Sequence, residues 1–154
     1  MDKIIQITFM GKSGFCCSED AYSDKLVIRK DTVCYMRKGY DSYGDGFVAD
    51  EWICRNSTAK FERDFHGLAS SLISMVMTPR EAELVDDFPT VDVVVTLENG
   101  RKWSQGNFPR RRDDAALEKS LSIVRKMIPD SRATPQFARP FKLKKRGFKK
   151  LWTR

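Results

Sequence analysis

The sequence has a single histidine and four cysteines in 154 residues, and no two cysteines form a C-x-x-C pair. A structural zinc site takes four ligands, usually as two close pairs. Cys16 and Cys17 are adjacent and seldom bend back onto one metal, while Cys34 and Cys54 fall inside strand-like runs. The sequence therefore predicts neither metal nor cofactor, and its thiols read as small buried hydrophobes. Histidine is equally scarce for catalysis. A Cys16 or Cys17 nucleophile with His66 as base needs a third group to orient the imidazole. Asp64 stands two residues away on the same expected helix and so points elsewhere. A thiol enzyme is kept as a lesser alternative to a binding protein.

Two other motifs lack essential members. An EF-hand loop beginning at Asp41 needs an oxygen ligand at 43 and a bidentate acid at 52, where Tyr43 and Trp52 stand. Gly44 and Gly46 have no following Lys-Ser/Thr and no helix start, so they form no phosphate loop. No run approaches the roughly 18 apolar residues of a membrane-spanning helix, and integral membrane association is not expected. The first residues, MDKIIQITFMGK, alternate and lack the basic start and apolar core of a signal peptide. The expected location is cytoplasmic, with reduced thiols.

What is present is a periodic helix. From Ser57 to Met77, Phe61, Phe65, Leu68, Leu72 and Met75/Val76 recur on one face, with Lys60, Arg63, Asp64, Ser70, Ser71 and Ser74 opposite. Asn56, Ser57 and Thr58 are candidate caps. Before it, Lys3–Met10, Lys25–Arg29, Thr32–Arg37 and Phe47–Arg55 read as strands, the first with Ile5, Ile7 and Phe9 on one face. After it come a short helix over Arg80–Asp87 and a hairpin of Val91–Leu97 with Arg101–Gln105. Asn99-Gly100 is read as a type I′ turn. Asp113 or Asp114 then caps a last helix with Leu117, Leu121, Val124 and Ile128 as its stripe. The predicted class is α+β: a mainly antiparallel sheet of about six strands with two amphipathic helices on one face. The predicted order is ββββ-α-(short α)-ββ-α plus a basic tail. The boundaries are one domain over 1–129 and the tail over 130–154.

The formal charge of +7 belongs to that tail, because 130–154 carries nine basic residues and one acid. Residues 1–129 are close to neutral, so whole-chain charge says little about the domain. Phe137, Phe141, Phe148 and Trp152 alternate with the cations. Cations neutralise phosphates, and aromatic rings stack on unpaired bases. The same composition also suits docking on the domain or an anionic membrane surface. The expected function is non-enzymatic binding of an anionic partner, nucleic acid first; the alternative is a protein-interaction or inhibitor module on an acidic protein surface. The expected contacts are Arg139, Lys142, Lys144, Lys145, Arg146, Phe148, Lys149, Lys150, Trp152 and Arg154. Arg110, Arg111 and Arg112, just before a helix start, extend them.

Overall fold

Alternating apolar residues make 4–12 a strand, and the computed structural model sets that strand, β1 (Ile4–Lys12), inside a sheet. The structure describes residues 3–14, 16–77, 89–110 and 115–140. β2 (Tyr22–Arg29), β3 (Thr32–Tyr40) and β4 (Gly46–Arg55) form a meander on one side of β1. The hairpin β5 (Thr90–Leu97) and β6 (Lys102–Pro109) joins the other side, giving the order β4-β3-β2-β1-β5-β6 with every pair antiparallel. Class, element order and six-stranded sheet agree with the sequence reading. The short helix expected over 80–87, the caps at 113 and 114, and the tail from 141 lie outside the described residues.

Two details of the sheet differ from expectation. β1 carries a bulge: Ile4 faces Leu97 and Gln6 faces Thr96, leaving Ile5 as the extra residue. The alternation reverses there, so Ile4 packs on the core and Ile5 is turned outward, correcting the placement of Ile5 beside Ile7 and Phe9. The second concerns the β5–β6 turn. Leu97 N–H donates to Arg101 C=O at 2.8 Å and Gly100 N–H to Leu97 C=O at 2.9 Å. With Gly100 at φ +87°, this is a three-residue connection closed by a left-handed glycine, not a two-residue type I′ turn.

α1 (Ala59–Met77) starts where Thr58 Oγ1 accepts the Phe61 amide hydrogen at 3.2 Å, satisfying one of the free donors of the first turn. It buries Phe61, Phe65, Leu68, Ala69, Leu72 and Val76; α2 (Ala115–Met127) buries Leu117, Ser120, Leu121, Val124 and Met127. α1 touches α2 as well as β5 and β6. The Ser71 and Ser120 hydroxyls hydrogen-bond across that contact, so Ser71 belongs to the helix–helix seam and not to the water-facing side.

The core continues past Pro129. A single 3₁₀ turn, Gln136–Ala138, lies over β1 with Phe137 and Ala138 buried. The Phe137 ring stacks on Phe9 at 5.4 Å between centroids. Gly11 lies directly beneath: a Cβ there would sit 2.6 Å from Phe137 Cβ and closer still to the Asp24 carboxylate. Gly11→Ala is therefore expected to lower stability by about 1–3 kcal/mol through overpacking. An unshifted urea midpoint would contradict this close approach.

Candidate functional site

Asp24 is the first unusual residue at the end of the sheet where β1 finishes. It shares an inward face with Leu26 and Ile28, opposite Gly11, and is 3% exposed. Tyr35 donates its hydroxyl hydrogen to Asp24 Oδ2 at 3.1 Å. Burial raises the Asp24 carboxyl above its ordinary value, opposed by the Tyr35 hydroxyl, the Phe137 and Gln136 amides, and Arg37. The acid thus faces the amide end of the 3₁₀ turn. Asp24 Oδ1 is buried and has no hydrogen-bond partner among the described residues. Burial, and then the Asp24 charge, raise the Tyr35 hydroxyl as well.

A raised folded-state value means that the folded chain holds a proton which the unfolded chain releases. Stability from this group then falls as pH rises from the ordinary 3.8 through the raised value. Against Asp24→Asn, the wild type should gain relative stability as pH is lowered through that window. The gain is about 1.4 kcal/mol for each tenfold by which folding tightens the hold on that proton. Urea unfolding across pH checks this; a flat or opposite difference would contradict it.

Arginines hold the other end of the turn. Arg125 Nη1 donates to Ala138 O at 2.8 Å, and Nη2 to Glu118 Oε1 at 2.7 Å. Arg110 Nη1 donates to Glu118 Oε2 at 3.2 Å, and Nη2 to Arg139 O at 2.6 Å. Partial burial pushes the Glu118 carboxyl up, but the bonds from Arg125 and Arg110 outweigh it and hold it below the usual value. Acid at the amide end and cations at the carbonyl end match the polarity of the backbone between them.

This arrangement sorts the expected binding residues. Arg110 is buried, its guanidinium turned inward, and its amide hydrogen goes to Pro89 O at 2.8 Å. Its role is positional. Arg139 has an exposed side chain and gives its carbonyl to Arg110. Arg111, Arg112, Lys142, Lys144, Lys145, Arg146, Phe148, Lys149, Lys150, Trp152 and Arg154 lie outside the described residues. The Arg110–Arg139 bond still brings two distant parts of the sequence together: the residue before Arg111 and the residue before Pro140. Arg132, an earlier cation, lies over the Trp52 ring at 5.9 Å.

The sequence reading passes over Asp24, Tyr35, Glu118 and Arg125. Asp24 has a visible signal, an acid on an otherwise apolar strand face. The remaining candidates separate. Cys16 and Cys17 are exposed in the β1–β2 connection, whereas His66 lies beside Lys3, Ile4 and Arg29 at the opposite end of β1. At 3.3 Å per residue that strand separates them by about 25–30 Å, so they form no dyad. Asp41 Oδ1 accepts the amide hydrogens of Tyr43 and Asp45, both at 2.9 Å, and so closes its own turn. Among the described residues no three His, Cys, Asp or Glu side chains cluster as a metal site, and no helix is long and apolar enough to cross a membrane. No family model matches the chain, and no curated protein or solved structure is significantly similar to it.

Proposed function

We propose that this is a non-enzymatic protein that binds nucleic acid, in single-stranded form, through the cations and rings of 139–154, extended by Arg111 and Arg112. The observation that supports this is the Arg110–Arg139 bond. It holds Arg110 and Arg139, from which the two cationic stretches of sequence continue, within one arginine side chain of each other. Residues 141–154 hold seven cations and no acid, which equals the whole formal charge of the protein. Phosphate neutralisation supplies affinity, and Phe148 and Trp152 supply stacking. Removing 141–154 tests the reading: binding to a single-stranded oligonucleotide should be lost, and equal retention would overturn it.

A second reading, an interaction module for an acidic protein, draws on the sheet edge. β4 is an outermost strand, and Val48 and Ile53 on it are 54% and 70% exposed. A free apolar edge accepts an added strand from a partner. Recovery of one stoichiometric protein, unchanged by nuclease, would favour this reading over the first.

A further inference from the structure

A cleft of about 310 Å³ opens at the end of the sheet opposite Asp24, between the start of β1, the β2–β3 turn and the middle of α1. We propose that it is a binding site for a small carboxylate carrying a flat apolar body. Four observations meet there. Its floor is apolar, formed by Ile4 and Phe65, with Ile5 at its mouth. The β1 bulge creates that floor, turning Ile4 inward and Ile5 to the mouth, and bulges recur where a strand must re-aim side chains beside a site. Around the floor stand Lys3, Arg29 and Lys30, against the two acids Asp31 and Glu98. The single histidine, His66, completes the wall, its ring edge-on to Phe65 at 5.7 Å between centroids. On its other side, His66 Nε2 lies 3.7 Å from Glu62 Oε1, one turn earlier on α1.

The rim is held by the backbone. Glu98 N–H donates to Lys3 O at 2.8 Å, and Asn56 N–H to Asp31 O at 2.9 Å, fixing both sides of the opening. Asp31 Oδ1 accepts the Thr32 hydroxyl hydrogen at 3.0 Å, which turns part of its charge aside. Arg29 supplies the recognising group. Its Nε donates to Gln6 Oε1 at 3.0 Å, which orients the guanidinium and leaves the two terminal nitrogens as a fork. That end presents paired donors at the spacing of a carboxylate. Lys3, Arg29 and Lys30 against Asp31 and Glu98 leave one net positive charge around the cleft, which favours a monoanion over a phosphate dianion. The volume lies at the lower end of the range for small-molecule sites, enough for one or two fused rings.

This inference does not rest on the nucleic-acid reading, and its test locates the ligand by residue. Backbone amide shifts of the full chain are followed by NMR during titration with 2-naphthoate. The expected result is saturable shifts at residues 3–5, 29–31 and 65–66. 2-Naphthol and acetate, which carry only half of the chemistry each, should bind at least tenfold more weakly. Arg29→Gln, an exposed position, should weaken 2-naphthoate at least tenfold while the remaining spectrum stays unchanged. Shifts that do not saturate or centre elsewhere, or equal binding by Arg29→Gln or 2-naphthol, would overturn the proposal. Tenfold tighter binding of 2-naphthyl phosphate would overturn the carboxylate assignment.

Discussion

Phe137→Ala is expected to cost about 3–5 kcal/mol, the usual range for removing a buried phenyl ring. The ring is 1% exposed, stacks on Phe9, and fills the space above Gly11. Truncation leaves a cavity in a position that cannot collapse easily, because charges hold both ends of the 3₁₀ turn. Domains of this size are stable by about 5–15 kcal/mol, so the loss is a large share of the whole. It also admits water to the Asp24 carboxylate, whose raised value should relax toward normal. Chemical unfolding measures the first effect. A loss below about 1 kcal/mol, far under the usual range for a buried ring, would mean that residues 136–138 are not part of the core.

Removal of residues 141–154 should have the opposite profile, leaving stability nearly intact while abolishing polyanion binding. Each cation that neutralises a phosphate on a single strand contributes about 0.7 to the slope of log affinity against log salt. Seven contacts give a slope near −5, and removing them should lower affinity at least about 100-fold at low salt. Stability should shift by no more than about 0.5 kcal/mol, as for changes away from packed groups. The two experiments divide the segment read from the sequence as one tail. Phe137 and Ala138 in it are core, and seven of its nine cations lie beyond Pro140.

That division shows where the sequence is legible. The stripes Phe61–Phe65–Leu68–Leu72 and Leu117–Leu121–Val124 encode their helices by spacing alone, and the strands by alternation. Period is a local property, so it survives without tertiary information. Phe137 has no period, since a single turn of helix presents one residue to the core. Its composition, between Pro135 and Pro140 and among cations, resembles that of a solvated segment. Only its fit over Gly11 marks it as core, and that fit pairs residues far apart in sequence. The Arg110–Glu118–Arg125 cluster is hidden for a related reason. Arginine on a surface and arginine satisfying buried carbonyls are the same letter, and adjacency alone groups Arg110 with Arg111 and Arg112. For His66, helical spacing reveals only partners on its own helix, whereas Lys3 and Arg29, which line the same cleft, come from just before β1 and from the end of β2.

The most direct test of the account is the salt dependence of binding to a fluorescently labelled single-stranded oligonucleotide, measured by anisotropy for the full chain and for residues 1–140. The account predicts a steep slope for the full chain, near −5, and for the shorter chain a weak, shallow one with an unchanged unfolding midpoint. Equal affinities and equal slopes would contradict it, and would move attention to the free edge of β4.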